Sequence, residues 1–175
     1  GATAMDNVDG VIATITHDAP ATFPIGVTEV IFSATDAKGN TGTSTATVSV
    51  LLLFDLSFED SKLEDCVNET AASGSFIYVH ELTCLHGSYQ SISSISGLEQ
   101  LTSLMVLNLY GNSISDISAL SGLTGLTTLS MGRNNISNIS ALSGLTSLSA
   151  LELITNSVSD VSVLSGLTSL RELYL

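Results

Sequence analysis

The last half of the chain repeats one pattern of apolar and polar positions at a fixed period, which carries Leu104 onto Leu126, Leu148 and Leu170. Within the first complete unit, Leu104, Leu107 and Leu109 alternate with other residues as a strand requires, and Ile114 and Ile117 carry the apolar positions onward. A period of about 22 residues is typical of stacked repeats, in which each unit buries its apolar face only against its neighbours. The pattern therefore predicts a solenoid with one short strand in each repeat.

Polar residues recur in the same phase. Asn112, Asn134 and Asn156 fall where the predicted strands end. A buried asparagine there can satisfy backbone groups of adjacent coils, so we expect a ladder of side chains. A second polar position follows in each repeat, and its side chains are expected to cap the next segment. These residues are Asp116, Asn138 and Asp160.

The repeats resemble a known family. The stretches "LTSLMVLNLYGNSISDISALSGL", "LTTLSMGRNNISNISALSGL" and "LSALELITNSVSDVSVLSGL" are similar to the leucine-rich repeats of bacterial internalin-like surface proteins. The resemblance covers residues 82–175. It implies a parallel sheet on the concave side, with turns or short 3₁₀ segments on the convex side. It implies no particular ligand.

The first part of the chain, residues 1–53, has a different pattern. "VIATITHDA" and "VTEVIFSAT" alternate apolar and polar residues, and "DNVDG", "FPIGV" and "DAKGNTG" supply turns between strands. The segment resembles the later part of a hyalin-repeat (HYR) domain, which is an immunoglobulin-like β-sandwich. That resemblance implies adhesion or spacing and no catalysis. With the repeats, the fold class is α+β: a partial all-β sandwich, a short helical cap and a leucine-rich repeat solenoid.

Residues 54–81 break both patterns. Asp60 or Ser61 can begin a helix and Gly74 can end it. The apolar positions that fall at helical spacing are Leu63, Cys66, Val67 and Ala71. The segment resembles the N-terminal cap of bacterial leucine-rich repeat proteins, which covers the open end of the core. A plain linker is the alternative.

The only two cysteines, Cys66 and Cys84, lie in or beside this cap. An even pair in an exported protein suggests a disulfide, worth roughly 3 kcal/mol for a loop of this length. Against the bond, counting back one repeat from Val106 puts Cys84 on a solvent-facing slot and gives the core slot to Gly87. A disulfide and two free thiols both stay open.

Composition restricts the partners. The chain has 4 Lys and Arg against 17 Asp and Glu, a net charge of -13. Nucleic acid and anionic membranes are disfavoured because both require clustered basic residues. The longest apolar run, residues 48–54, is far shorter than the ~20 residues of a membrane helix, so we expect no membrane insertion. An acidic, Lys-poor surface suits a secreted or cell-surface bacterial protein.

The sequence contains few signals of catalysis or of metal binding. The sequence has no H-E-x-x-H, G-x-S-x-G or P-loop motif, so we predict no enzyme and no cofactor. Asp6, Asp9 and Asp36 lie in polar loops and are the candidates for a calcium site. "DNVDG" lacks the length and regularity of an EF-hand loop, and ordinary turn residues are the alternative.

Two function classes remain. The first is a binding or adhesion module whose concave sheet contacts a protein or glycan, and the second is a structural spacer without a ligand. We expect a monomer within a larger multidomain chain that continues past Leu175. Strand alternation predicts which side chains face a partner. The predicted contact residues are Asn108, Tyr110, Ser130, Arg133, Glu152, Ile154 and Tyr174.

Overall fold

The chain divides into two compact units, Gly1–Leu51 and Leu52–Leu175. The structure, a computed structural model, describes residues 3–6, 10–12, 14–74 and 84–175. Leu53 was assigned to the N-terminal domain by its sequence, but it is 1% exposed and packs in the core of the second unit. The boundary between the compact units therefore precedes Leu53, at a point where an apolar run passes from one unit into the next.

The first unit consists of antiparallel strands. The strands are β1 (Ala4–Asp6), β2 (Gly10–Ile12), β3 (Ile15–His17), β4 (Gly26–Thr35) and β5 (Thr41–Val50). Strand β4 is paired on one side with β3 and on the other with β5; the β4–β5 pairing covers ten residue pairs, from Gly26 opposite Val50 to Thr35 opposite Thr41. A second sheet contains β1 and β2.

Little of the described part of this unit is buried. Val30 on β4 is 2% exposed, whereas its strand neighbours Val27 and Ile31 are 69% and 42% exposed. The antiparallel pairs follow from the apolar–polar alternation and from the turn that Asp36 closes between β4 and β5. The assignment of these strands to a sandwich stays a prediction.

One helix, α1 (Ser61–Gly74), covers the first coil of the second unit. Its N-terminus is capped by Asp60, whose Oδ1 accepts a hydrogen bond of 2.9 Å from Lys62 N–H. The helix buries the face that its spacing predicts, and it ends at Gly74. Residues 75–81 of the predicted cap lie outside the described residues. Among the described helices, none combines the length and the apolar character that a bilayer crossing requires.

The rest of the second unit, residues 84–175, is called the repeat stack here. Its sheet has five parallel strands in chain order, and each strand is paired with the equivalent strand of the adjacent repeat. The strands are β6 (Cys84–His86), β7 (Val106–Asn108), β8 (Thr128–Ser130), β9 (Ala150–Glu152) and β10 (Glu172–Tyr174). Short 3₁₀ segments follow the strands, as predicted, at Leu98–Gln100, Ser118–Leu120, Ser140–Gly144 and Ser162–Gly166.

The core of the repeat stack is a column of leucines. In the first four strands the central leucine is buried: Leu85 and Leu107 are 0% exposed, and Leu129 and Leu151 are 1% exposed. In β10 the equivalent Leu173 is 42% exposed. Burial of a leucine relative to water is worth about 1.5–3 kcal/mol, so this column supplies much of the stability of the stack.

The predicted asparagine ladder is confirmed. Asn134, 7% exposed, donates from Nδ2 to the carbonyl oxygens of Leu109 (2.9 Å) and Met131 (3.0 Å), and its Oδ1 accepts from Ile114 N–H (3.0 Å). Asn112 and Asn156 repeat the same bonds one coil earlier and one coil later. Each asparagine therefore joins its own coil to the coil before it.

The predicted caps on the convex side are also present. Asp116, Asn138 and Asp160 each accept a hydrogen bond of 2.8–2.9 Å from the backbone N–H two residues later, at the start of a 3₁₀ segment. Hydrogen bonds from Ser118 and Ser162 lower the pKa of Asp116 and Asp160, respectively, below the ordinary value of 3.8. These polar residues thus close the turns of the fold.

Candidate binding surface

The exposed side of the five-stranded sheet is built by strand alternation. The central leucine of each strand points into the core, so the flanking residues of each strand lie on the opposite side. Parallel pairing sets equivalent residues side by side across the sheet. The row formed by the last residue of each strand is His86, Asn108, Ser130, Glu152 and Tyr174.

Several polar side chains of this row already bind within the chain. Ser88 Oγ donates to Asn108 Oδ1 at 2.8 Å, and Ser130 Oγ donates to the carboxylate of Glu152 at 2.5 Å. Backbone N–H of Tyr110 also donates to Asn108 Oδ1. These bonds fix the middle of the row, so Asn108 and Ser130 have less capacity for a partner than their exposure alone indicates.

Just beyond the strand ends, two side chains contact the aromatic ring of a third residue, Tyr110. The rings of Tyr89 and Tyr110 meet edge to face with their centroids 5.5 Å apart. Arg133 comes from the next coil, and its guanidinium carbon lies 5.9 Å from the centroid of the Tyr110 ring, which is a cation–π contact. These residues, Tyr89, Tyr110 and Arg133, are called the tyrosine ridge here.

Two glycines make room for the ridge. A Cβ at Gly132 would lie 2.7 Å from Tyr110 Cε2 and 2.9 Å from Ile154 Cγ1, and a Cβ at Gly111 would overlap the ring of Tyr89. Each tyrosine therefore packs over a glycine of the following coil. The missing side chains allow the rings to lie against the backbone.

The ridge also uses an unusual backbone position. Residues 89, 111, 133 and 155 are equivalent in successive repeats, and all have a left-handed conformation, with φ of 58°, 71°, 53° and 56°. Glycine adopts this conformation without strain and occupies one of the four positions, as Gly111. Tyrosine and arginine at the equivalent positions cost roughly 1 kcal/mol or more each in backbone strain. Their contacts with Tyr110 offset part of that cost.

The structure places the predicted contact residues on the sheet or its rim and changes the account of Arg133. Gly132 occupies the slot equivalent to Tyr110, and Arg133 lies one residue later, at the left-handed position. Strand alternation alone predicts an outward-facing strand position for Arg133, whereas in the structure Gly132 takes that position. The predicted contact set also omits Tyr89, which is 65% exposed. The available signal was that Tyr89 and Arg133 share the same phase, two repeats apart.

The far end of the surface differs in character. Ile154, Glu172 and Tyr174 border a shallow depression together with Ser130 and Glu152. Tyr174 is 57% exposed and lies at the edge of the sheet on β10. The surface therefore has an aromatic and cationic part over the early coils and an acidic part over the later coils.

Cys66 is a free thiol in the structure and packs in the core beneath the first strand. Its Sγ donates to the carbonyl oxygen of His86 at 3.4 Å and would lie 3.2 Å from a Cβ at Gly87. Burial, with the nearby carboxylate of Glu69, raises the pKa of this thiol. The side chain of Cys84 lies outside the described residues, but a free Cys66 means that this structure corresponds to the alternative without the Cys66–Cys84 disulfide.

The calcium candidates are not brought together within the described residues. Asp36 accepts hydrogen bonds from Lys38 N–H (2.9 Å), Asn40 N–H (2.7 Å) and Asn40 Nδ2 (2.6 Å), which lower its pKa and close the β4–β5 turn. Asp9 and the side chain of Asp6 lie outside the described residues. No group of metal-binding side chains occurs in the described part of the chain, and calcium stays a prediction.

Comparisons with known proteins agree with this architecture. Residues 102–144 match the family model for two copies of leucine-rich repeats. An internalin (InlF) from Listeria monocytogenes is 39% identical over 67% of this chain, with a TM-score of 0.64. Internalin C2 (InlC2) from the same species is 29% identical over 72% of the chain, with a TM-score of 0.64. No curated protein matches the sequence.

A third similar structure is the functional domain of InlJ from Listeria monocytogenes, which includes a cysteine ladder; it is 30% identical over 66% of this chain, with a TM-score of 0.54. The chain spans 36%, 58% and 26% of the lengths of the InlF, InlC2 and InlJ structures, respectively. These similarities agree with the parallel sheet and with the phase of the repeats. The chain carries leucine-rich repeats in an internalin-like fold.

Proposed function

We propose that this chain is a non-enzymatic binding module that contacts a protein or glycan through the exposed face of its five-stranded sheet. The observation that carries the proposal is the tyrosine ridge, in which two aromatic side chains and one arginine are held together at the rim of that face. Tyrosine and arginine are enriched among residues that dominate binding energy. A parallel sheet with a sealed core supplies a rigid support for them.

The proposed contact set is the predicted one with Tyr89 added. Arg133 supplies a charge, while Tyr110, Ile154 and Tyr174 supply apolar area. Asn108, Ser130 and Glu152 supply polar atoms in the middle of the face. Five strands about 4.8 Å apart give a strip roughly 20 Å wide, which suits part of a protein or glycan surface and is too shallow to enclose a small molecule.

A structural spacer is the second candidate. The observation that favours it is that Asn108 and Ser130 are already occupied by bonds within the chain, with small side chains at Thr128 and Ala150 beside them. For the first unit we propose an HYR-like adhesion or spacing role, supported by its antiparallel strands and its exposed faces. We propose a secreted or cell-surface bacterial location and a monomer within a larger chain, in keeping with the low content of basic residues.

The test uses the purified chain on two arrays, one of extracellular proteins and one of glycans. Arg133→Ala is the most informative variant because its side chain is exposed and its loss leaves the core intact. A partner retained by the wild type should bind Arg133→Ala at least tenfold more weakly. Tyr110→Ala should weaken binding too, with some loss of stability because the ring packs over Gly132.

Matched controls lie on the convex side. Ser118→Ala and Ser162→Ala remove exposed side-chain hydrogen bonds to Asp116 and Asp160 but keep the backbone N–H groups that bind them, so they should leave binding unchanged and have only a small effect on stability. If the convex variants abolish binding while Arg133→Ala and Tyr110→Ala do not, the proposed face is wrong. If the wild-type chain binds nothing on either array, the hypothesis of a structural spacer replaces that of a binding module.

A further inference from the structure

One of the three side chains of the tyrosine ridge, Arg133, is a cation that has no anionic partner among the described residues. The one ion pair among the described residues joins Lys62 and Asp65 on α1. Arg133 makes its recorded contact with the ring of Tyr110. Lys38 and Arg171 also lack an ion pair among the described residues, but of these three basic residues Arg133 is the one with a recorded contact to an aromatic ring.

The contact with Tyr110 leaves the hydrogen-bonding edge of Arg133 unused. A guanidinium has five N–H donors in one plane, and cation–π contact uses the face of that plane. The donors that point away from the ring match the two oxygens of a carboxylate.

Tyr89 adds an apolar surface beside that cation. Its ring is 65% exposed, although it is held edge to face with Tyr110 and packs over Gly111. Both Tyr89 and Arg133 occupy left-handed positions at which Gly111 shows that glycine is accepted. Two large side chains are therefore kept at strained positions, and both contact the ring of Tyr110.

We infer that the tyrosine ridge is the part of the proposed binding face that selects the partner, and that it takes a protein segment in which one Asp or Glu side chain is flanked by apolar residues. This inference rests on the proposed function. The carboxylate pairs with the edge of Arg133, and the apolar flank covers Tyr89. The net charge of -13 repels a polyacidic segment, so a single carboxylate in an otherwise uncharged segment fits best.

Three uncharged residues, Gly111, Gly132 and Tyr89, also have roles at the tyrosine ridge. Gly111 and Gly132 are positioning residues, because a side chain at either would displace the ring above it. Tyr89 is a contact residue. The middle of the face, with Ser130 bound to Glu152, then contributes little to the choice of partner.

The test uses two bead-bound libraries of short peptides with uncharged randomised positions and a fixed central residue, Glu in one library and Gln in the other. The labelled full chain should stain the Glu library more strongly. The best Glu peptide is then made in solution with its Gln counterpart. Replacing Glu by Gln should weaken binding about tenfold, and so should Tyr89→Ala and Arg133→Ala. Arg133→Lys should not restore it, since an ammonium cannot pair in a bidentate manner.

The controls separate this inference from the proposed function. Thr155→Ala changes another left-handed position that is outside the ridge and should leave binding unchanged. Equal staining of the two libraries, absence of any retained Glu peptide, or wild-type binding by Tyr89→Ala and Arg133→Ala would each overturn the inference. If peptides bind and respond to Glu152→Gln and not to the ridge, the face still binds but the ridge does not select. Sensitivity only to Ser118→Ala or Ser162→Ala would overturn both.

Discussion

Both units of the chain contain a β-sheet, but within the described residues only the second unit has an extensive buried core. In the first unit, the ten-residue pair β4–β5 leaves most of its side chains exposed, and Val30 is its buried apolar residue. In the second unit, three-residue strands are enough, because each coil lays its leucine against the next. Strand length therefore does not decide burial; what decides it is whether a neighbour of the same shape covers the apolar face.

The sharpest test of this contrast is to remove apolar side chains from both units. Leu129→Ala should destabilise the second unit by about 2–5 kcal/mol, because Leu129 is 1% exposed and its removal leaves a cavity. Val27→Ala in β4 should change stability by less than about 0.5 kcal/mol, since Val27 is 69% exposed. Urea denaturation followed by circular dichroism measures both. A large loss for Val27→Ala would mean that the first unit has a core of its own.

The same contrast applies to asparagine. Asn134→Ala should cost about 1–3 kcal/mol, because it leaves Ile114 N–H unpaired in a buried place, while the carbonyls of Leu109 and Met131 keep their bonds from Asn112 and Asn156. The matched change in the first unit is Asn40→Ala. Its side chain bonds to Asp36 at an exposed turn, so the cost should stay below about 1 kcal/mol. Thermal unfolding of both variants gives the comparison, and equal losses would contradict it.

Glycines give a smaller effect. Gly132→Ala should cost about 1–3 kcal/mol, because the new methyl group has to displace the Tyr110 ring and Ile154. Gly42→Ala in β5 meets no atom within 4 Å and should be neutral or slightly stabilising. A shift of the near-ultraviolet tyrosine circular dichroism signal should accompany Gly132→Ala alone. An unchanged signal would mean that Tyr110 does not pack where the glycine allows it.

The smallest predicted effect depends on pH. Burial raises the pKa of Asp60, but hydrogen bonds from Ser93, Lys62 and Ser94 lower it more, from 3.8 to about 2. A depressed carboxyl pKa contributes stability above its unfolded value and loses it as pH falls through the folded value. The second unit should therefore lose about 1 kcal/mol between pH 4 and pH 2, since partial exposure screens the interaction. Asp60→Asn should reduce this slope in acid titrations followed by fluorescence, while Asp116 and Asp160, whose pKa values are also lowered, keep a part of it. An unchanged slope would exclude Asp60 as a source.

Much of the second unit was predictable because its information is periodic. Leu107, Leu129 and Leu151 fix the strand phase, and the asparagines fix the ends of the strands. Helical spacing located the buried face of α1, including Cys66 and Ala71. Each of these signals is repeated or local, so a single sequence is sufficient to read it.

The tyrosine ridge was not fully predictable because it depends on contacts between neighbouring coils that the repeat pattern does not specify. Tyr110 meets Arg133 of the next coil, and Tyr89 lies over Gly111, again of the coil that follows. Alternation with period 2 predicts which side of a strand a residue faces. It makes no prediction for residues beyond the strand, where the backbone adopts a left-handed conformation. The glycines that admit the rings carry no side chain and so give no apolar signal.

The asparagine ladder has a consequence for the order of folding. Every ladder side chain reaches back to the coil before it: Asn134 serves Leu109 and Ile114, and Asn156 serves Met131 and Ile136. A coil therefore gains its last backbone partners only when the coil after it has formed. Growth of the stack is therefore expected to add whole coils to coils that have already formed, and disassembly under a pulling force should break these bonds one repeat at a time.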